Sequence, residues 1–211
     1  MMRILCASKN KLCFLPSNMH KLRNLEKLDL SQNSLTKFDE SLTTFEYLEY
    51  LDLSENEIQS LPQTFGSLKL LTYLNLSKNN IESFPSEDIQ ILGSVKKLDI
   101  SENRIGELPA NLPYLYRMVE LRASFNYLEG LPPAINLMKG LEILLVDENY
   151  IVTLPENICK TPNLKILDVS NNKIKQWPKA FENLKKKCNC ITGHQTSNKR
   201  KSTSPKEPSN N

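Results

Sequence analysis

An asparagine recurs along this chain at almost constant spacing, and this recurrence restricts the possible folds more than any other feature. Neighbouring asparagines of the series are 23 residues apart, except for one gap of 24 across the segment PSEDIQILG. The series consists of Asn10, Asn33, Asn56, Asn79, Asn103, Asn126, Asn149 and Asn172. Because a fixed period of about 20 to 50 residues is the signature of a repeat architecture, the sequence predicts a stack of similar units.

Each unit follows the pattern LxxLxLxxNxLxxLPxxaxxLxx, in which "a" is apolar, and the units start near residues 2, 25, 48, 71, 95, 118, 141 and 164. The LxL alternation has a period of two, which predicts a short strand whose leucines point to the same side. Position 14 is apolar in all eight units, and a proline follows it in seven, with Asp39 as the exception. Proline has a fixed φ and no N–H group, so it suits a tight return segment.

Asparagine offers two amide donors and one carbonyl acceptor, so we expect it to bond the backbone of its own turn and of the neighbouring coil. A single unit buries too little apolar surface to be stable alone, and the units must therefore stack. We predict an α/β leucine-rich solenoid with a curved parallel β-sheet on its concave face. Short helical or extended return segments would lie on the convex face, and the repeat domain would cover residues 1–186.

The two ends of such a stack differ in this sequence. Met2 already occupies position 1 of the first unit, so we expect either an open edge at the first strand or a shortened form of a longer protein. At the other end, Trp177 and the following KAFENLKKK are expected to close the last coil.

The sequence gives no sign of catalytic chemistry. The six glycines are dispersed without a phosphate-binding motif, and the two histidines, His20 and His194, have no evident catalytic partners. Cys188, Cys190 and His194 are too few for the usual four ligands of structural zinc, so we interpret the two thiols as solvated. We therefore expect no enzyme activity, no cofactor and no metal site.

The five cysteines form an odd and scattered set instead of a disulfide framework. No apolar run approaches the roughly 20 residues that cross a bilayer. These features favour a reduced protein in the cytoplasm.

Binding residues are expected where the units depart from their own consensus on the concave face. Such departures concentrate in units six and seven, and a smaller pair of tyrosines lies at position 3 of units three and four. Aromatic residues and arginine are common anchors of protein–protein contacts. The predicted protein-binding residues are Arg122, Phe125, Tyr127, Ile143, Leu145, Tyr150, Tyr50 and Tyr73.

Two structural alternatives stay open at this stage. The aromatic side chains could simply pack against each other across neighbouring strands. The aspartates at position 5 and the serines at position 7, which recur as LDLS, could serve only for hydrogen bonding and solvation.

Residues 187–211 lose the repeat pattern and consist mostly of Asn, Ser, Thr, Lys and Pro, which is typical of a disordered tail. From residue 185 onward, seven basic residues stand against Glu207 alone, a net charge of +6, which leaves −3 for the rest of a chain whose total is +3. A solubilising tail, an acylated basic segment at an anionic membrane and a nuclear address all fit this composition. We expect a nuclear address or nucleic-acid binding less than the solubilising tail or membrane attachment.

The 23-residue form with LP after the turn resembles the leucine-rich repeat family, and the resemblance covers roughly residues 2–186. The segments LTYLNLSKNNIE and VELRASFNYLEGLPPAI are similar to the repeats of intracellular proteins such as the Ras suppressor proteins, Erbin and Scribble. The resemblance implies a scaffold for signalling proteins, with a small GTPase or its effectors among its partners. The second hypothesis makes the tail the functional part at a membrane or in the nucleus, with the repeats as a spacer.

Overall fold

The repeats form a single parallel sheet. The computed structural model describes residues 2–63, 65, 68–85 and 89–195. Within these ranges nine strands of three residues lie side by side in chain order, in a curved and unclosed sheet. They are β1 Ile4–Cys6, β2 Lys27–Asp29, β3 Tyr50–Asp52, β4 Tyr73–Asn75, β5 Lys97–Asp99, β6 Glu120–Arg122, β7 Ile143–Leu145, β8 Ile166–Asp168 and β9 Asn189–Ile191. The predicted fold class is thus confirmed, with one strand more than the eight units indicated.

The register of the sheet follows from the period of the sequence. Each strand residue pairs with the residue 23 positions further on, as Leu28 does with Leu51. The exception is the pair β4 and β5, where the offset is 24 residues. The leucine at the centre of each strand from β2 to β8 is buried, so its two neighbours at positions 3 and 5 point to the concave face. Side chains that are distant in sequence therefore form continuous columns on that face.

The return segments contain short helices, as the pattern predicted. Among the described residues these are 3-10 helices at Met19–Lys21, Glu40–Thr44, Ile89–Ser94, Leu112–Tyr114, Ile135–Leu137 and Glu156–Lys160, and helix α1 at Phe181–Lys185. Asp39, which stands where seven units have proline, accepts a hydrogen bond from the N–H of Ser41 at 2.9 Å and caps its helix. The helical segment Ile89–Ser94, which has a kink at Leu92, lies in the unit with the extra residue.

The apolar interior runs the length of the stack between the sheet and the return segments. Three phenylalanines from successive units pack in series there, with ring centroids 6.0 Å apart for Phe38 and Phe65 and 5.8 Å apart for Phe65 and Phe84. Such aromatic pairs stabilise a core beyond the area that they bury. The interior is shared between units, which is why no unit would fold alone.

The recurring asparagines join each coil to the preceding one. Nδ2 of Asn56 donates to the carbonyls of Leu30, Leu53 and Ser54 at 3.0–3.2 Å, and its Oδ1 accepts from the N–H of Leu35 at 3.0 Å. The same set of partners recurs at Asn33, Asn79, Asn103, Asn126, Asn149 and Asn172. These side chains satisfy backbone groups that are buried between coils, where water cannot reach them.

Asn10 differs from the rest of the series because it belongs to the first coil. Its Nδ2 donates to the carbonyls of Ala7 and Ser8 at 3.0 Å, both within its own turn, and its side chain is exposed. Asn10 thus provides a natural internal control for the role of the other seven.

A ninth coil extends the solenoid beyond residue 186, where the sequence pattern placed the start of the tail. Helix α1 is the return segment of unit eight, and strand β9 belongs to the ninth coil and pairs with β8 through Leu167 and Cys190. Trp177 packs on Phe181 with ring centroids 4.5 Å apart. This segment was expected to close the last coil, and the structure adds a further strand after it. Residues 196–211 of the predicted tail lie outside the described residues.

Gln195 takes the position of the missing ninth asparagine, 23 residues after Asn172. Its Nε2 donates to the carbonyls of Val169 and Thr192, and its Oε1 accepts from the N–H of Ile174 at 3.0 Å. These partners stand at the same sequence offsets as those of the asparagines. The longer amide side chain therefore performs the same task in the last coil.

Candidate functional site

The predicted binding residues of units six and seven lie together on two adjacent strands and the turns that follow them. Arg122 of β6 pairs in register with Leu145 of β7, and Glu120 of β6 pairs with Ile143 of β7 in the neighbouring column. Tyr127 and Tyr150, which come after the turns, have ring centroids 5.8 Å apart. We call this surface the aromatic patch; it consists of Arg122, Phe125, Tyr127, Ile143, Leu145 and Tyr150.

The aromatic patch is accessible to solvent. Phe125 is 43% exposed and Tyr127 is 45% exposed, while Ile143 and Leu145 are partly buried between neighbouring columns. Lys173 places its ammonium group 4.1 Å from the ring centroid of Tyr150, so the faces of these rings accept a cation. Exposed aromatic rings over an apolar floor are typical of a protein-binding surface.

Phe125 has an unusual backbone conformation for its size. The residue at position 8 has a positive φ in each of the first eight units, between 51° and 58°. The other seven are polar or charged, namely Lys9, Gln32, Glu55, Lys78, Glu102, Glu148 and Asn171. A bulky aromatic residue is an outlier in this left-handed region, and such strain is often found at functional sites.

This strain gives a testable prediction about Phe125. Phe125→Asn and Phe125→Ala both remove the ring, but asparagine tolerates a positive φ better than alanine does. We expect the Asn variant to have a free energy of unfolding about 1 kcal/mol higher than the Ala variant, measured by urea titration. Equal stabilities would show that the left-handed backbone does not strain this position.

Glu120 organises the polar side of the aromatic patch. Its buried carboxylate lies 2.5 Å from Nε of Arg122 and 3.3 Å from Nζ of Lys97. Burial raises the pKa of Glu120, but the hydrogen bonds and charges of Arg122 and Lys97 outweigh burial and hold this pKa below its usual value. The carboxylate therefore stays charged and fixes both cations on the concave face.

A hollow of about 320 Å³ opens beside this ion-paired group, between Tyr73, Asp99 and the side chains around Glu120. Arg122 of the aromatic patch and Tyr73 of unit four both line this hollow, so it connects the two groups of predicted residues. The predicted binding residues thus form two groups that border one shared hollow.

The tyrosine pair, Tyr50 and Tyr73, is stacked with ring centroids 4.4 Å apart and nearly parallel planes. Lys27 lies 4.5 Å from the ring centroid of Tyr50, and the hydroxyl of Tyr50 donates to Asp52 at 3.3 Å. Burial and the negative charge of Asp52 both raise the pKa of Tyr50, so the hydroxyl keeps its proton. For this pair the structure shows the cross-strand packing that the sequence left as an alternative.

The aspartate and serine columns make structural hydrogen bonds. Oδ1 of Asp52 accepts from both the N–H and the hydroxyl of Ser54, at 2.9 and 2.6 Å. The same arrangement joins Asp29 to Ser31 and Asp168 to Ser170. These columns shape the turn after each strand, and they agree with the structural alternative.

Asp147 is the exception at position 7, where the other seven units have serine. It accepts a hydrogen bond from the hydroxyl of Ser124 in the preceding coil. Burial raises the pKa of Asp147, and the neighbouring charge of Asp168 adds to this effect. This acidic side chain borders the aromatic patch next to Leu145.

The two cysteines of the predicted tail are part of the ninth coil, so the interpretation of both as solvated thiols is wrong. Cys188 is only 5% exposed, and burial beside Cys190 raises its pKa to about 12. Burial also raises the pKa of Cys190, which lies in β9. Acylation of Cys188 would require this coil to open, which weakens the hypothesis of a lipid-anchored tail.

Two features are absent from the described part of the chain. Among these residues no group of three or more His, Cys, Asp or Glu side chains could hold a metal ion. No helix there is long and apolar enough to cross a membrane.

Sequence reasoning missed Glu120, which pairs with Arg122, and Lys97, which pairs with the same carboxylate. The period of the sequence places Lys97, Glu120 and Ile143 in one column, so their proximity was open to prediction. Their ion pairing depends on side-chain conformations, which the repeat pattern does not specify. Asp147 carried a signal, since it breaks the serine column.

Comparisons with known proteins identify the repeats. The family model described as "Leucine rich repeat" matches residues 23–81 and 46–105, and the model described as "Leucine Rich Repeat" matches residues 163–184. A search of curated proteins found no match.

Solved structures from bacteria and plants share the fold. A leucine-rich repeat protein of Leptospira interrogans is 32% identical, with a TM-score of 0.83, over 90% of this chain and 48% of that protein. The plant peptide hormone receptor RGFR1, in complex with RGF2, is 27% identical, with a TM-score of 0.75, over 82% of this chain and 29% of the receptor.

A third similar structure is the ectodomain of the membrane receptor kinase GASSHO1/SCHENGEN3 from Arabidopsis thaliana, in complex with CASPARIAN STRIP INTEGRITY FACTOR 2. It is 30% identical, with a TM-score of 0.70, over 84% of this chain and 22% of the receptor. The chain therefore spans about half the length, or less, of these three structures.

Proposed function

Because the chain is a leucine-rich repeat protein, we propose that it is a non-enzymatic binding module whose concave face holds a partner protein. The observation that carries this proposal is the aromatic patch, where Phe125 and Tyr127 are exposed beside Arg122 and an apolar floor. Large aromatic side chains of this kind contribute much of the energy of protein–protein contacts. Two of the similar structures are receptors described in complex with RGF2 and CASPARIAN STRIP INTEGRITY FACTOR 2, which supports a protein or peptide as ligand.

The partner class within this proposal is a signalling protein. The 23-residue repeat with LP after the turn is similar to the repeats of Ras-associated and cell-polarity scaffolds. We therefore propose a scaffold in the cytoplasm that holds a small GTPase or one of its effectors. The fold alone does not specify a partner, so this assignment depends on direct capture.

The test is a triple variant of the aromatic patch, Arg122→Gln, Phe125→Ala and Tyr150→Ala. Arg122 is neutralised and not reversed, because a second carboxylate beside the buried Glu120 would destabilise the fold. We expect affinity capture from a cell extract to lose the partners of the wild-type protein, at least about tenfold by quantitative mass spectrometry.

A matched control likewise removes two aromatic rings and one arginine charge, from the return segment of unit five, with Tyr114→Ala, Tyr116→Ala and Arg117→Gln. These residues are exposed and lie outside the concave face. Retained capture by the patch variant, or equal loss in both variants, would reject the aromatic patch as the binding site.

The second hypothesis, a tail-directed adaptor at a membrane or in the nucleus, is supported by the basic run NKRK at residues 198–201. Its test is a chain that ends at Gln195, because this end leaves β9 and the bonds of Gln195 in place. Cell fractionation that is unchanged by the deletion would remove this hypothesis.

A further inference from the structure

An open groove lies beside the turns of units four to six, outside the aromatic patch. It has a volume of about 510 Å³, within the range of roughly 300–1,000 Å³ that is usual for binding pockets. Its floor is apolar and consists of Phe84, Leu108 and Leu131, the position-14 residues of these units. Pro109 and Pro132 add rigid apolar walls. We call this surface the lateral groove.

Two glycines, Gly106 and Gly130, keep the lateral groove open. Gly106 stands at position 12 of unit five, and Gly130 stands at position 13 of unit six. The other six units have a residue with a side chain at both of these positions. A Cβ atom built on either glycine would meet no other atom within 4 Å, and neither glycine has a positive φ. By contrast, a Cβ at Gly140 would lie 2.9 Å from the carbonyl oxygen of Met118, so Gly140 is required by packing.

These two glycines are costly for the folded state. Glycine loses more backbone entropy on folding than other residues, and replacement by alanine at a compatible site typically stabilises a protein. Neither the backbone conformation nor the packing requires a glycine at these two positions. A close approach by a ligand is the remaining physical reason for glycine at such a place.

The rim of the lateral groove is negatively charged. Glu107 and Glu129 line it from neighbouring units, and both are exposed. Neither carboxylate forms an ion pair with any residue that the structure describes. An apolar floor with two carboxylates at its edge is complementary to an apolar side chain next to a basic one.

We propose that the lateral groove is a second docking site, which binds an extended segment of a partner protein carrying an apolar side chain flanked by Lys or Arg. The apolar side chain lies on Leu108 and Leu131, and its backbone passes over Gly106 and Gly130. The basic side chains pair with Glu107 and Glu129. This site goes beyond the proposed function, because it includes none of the residues of the aromatic patch.

The test uses a variant that fills the groove, Gly130→Leu. Because a Cβ at this position meets open space, the variant is expected to fold and to melt no lower than the wild-type protein. Gly93→Leu is the matched control, since Gly93 also has open space around a built Cβ and lies outside the groove. Thermal unfolding checks both variants before any binding experiment.

The probe is a displayed library of random peptides, selected on the intact protein in the presence of excess Gly130→Leu variant. We expect enriched peptides to carry Lys or Arg next to an apolar residue. A synthetic copy of an enriched peptide should bind the Gly130→Leu variant and the Glu107→Gln, Glu129→Gln double variant at least about tenfold more weakly. Its affinity for the Gly93→Leu variant should be unchanged.

Three results with the lateral-groove variants and the selected peptides would overturn the proposal. They are a selection without enrichment over the filled variant, enriched peptides without basic residues, and an affinity that the double variant leaves unchanged. The aromatic-patch variant should bind the same peptide with unchanged affinity. Loss of binding in that variant alone would assign the peptide to the concave face and would also overturn the lateral site. The lateral site can therefore fail while the proposed function of the aromatic patch still holds.

Discussion

Replacement of Asn126 by alanine is expected to lower the free energy of unfolding by about 2–6 kcal/mol. Asn126 is 1% exposed, and its side chain bonds the carbonyl of Ile100 at 2.9 Å and the N–H of Ile105 at 3.0 Å. Without the amide these two backbone groups stay buried without partners, and each such group costs about 1–3 kcal/mol. Urea titration followed by circular dichroism measures the change.

Asn10→Ala is the matched control for this prediction. Asn10 is exposed and bonds only carbonyls of its own turn, so water can replace its side chain. We expect a loss of less than about 1 kcal/mol in this variant. A similar loss at both positions would contradict the view that the asparagines stabilise the protein by bonding one coil to the next.

Removal of the ninth coil is expected to have the second large effect. A chain that ends at residue 186 loses β9, including the bonds from the N–H of Asn189 to Lys165 at 2.8 Å and from the N–H of Val169 to Ile191 at 3.0 Å. It also exposes apolar side chains of unit eight that Cys188 and Cys190 cover. Since each buried side chain contributes roughly 1.5–3 kcal/mol, we expect a loss of about 3 kcal/mol or more in the free energy of unfolding.

The chain that ends at Gln195 separates this effect from that of the tail. It keeps the ninth coil, and we expect its midpoint of thermal unfolding to match that of the full chain. Gln195→Ala in the full chain should cost about 1–3 kcal/mol, because it leaves the N–H of Ile174 and the carbonyl of Val169 without their partner. Equal stability of the chains ending at 186 and 195 would show that the ninth coil does not contribute to the fold.

The period of 23 residues was sufficient to predict the architecture and the strand register. Both follow from the sequence because the unit fixes which side chains point inward, and stacking identical units leaves one register. The ninth coil was missed because Cys190 and Gln195 stand where the other units have leucine and asparagine. The spacing from Asn172 to Gln195 was nevertheless 23 residues, and a search for amide side chains in general would have found it.

The candidate site was less predictable than the fold. Column positions were readable from the register, which is why Arg122 and Leu145 could be expected to lie side by side. The ion pairs of Glu120 and the stacking of Tyr50 on Tyr73 depend on rotamers and local burial, which the pattern does not specify. The lateral groove depends on the space left by Gly106 and Gly130, and only a three-dimensional structure shows that this space is open.

The most direct test of the central claim is hydroxyl-radical footprinting of the protein with and without a captured partner. Oxidation of Phe125, Tyr127 and Tyr150, read by mass spectrometry, is predicted to fall when the partner binds. Tyr114 and Tyr116, which are 62% and 58% exposed on the return segment of unit five, should be oxidised equally in both states. Protection of Tyr114 and Tyr116 with unchanged oxidation of the aromatic patch would contradict the concave face as the binding surface.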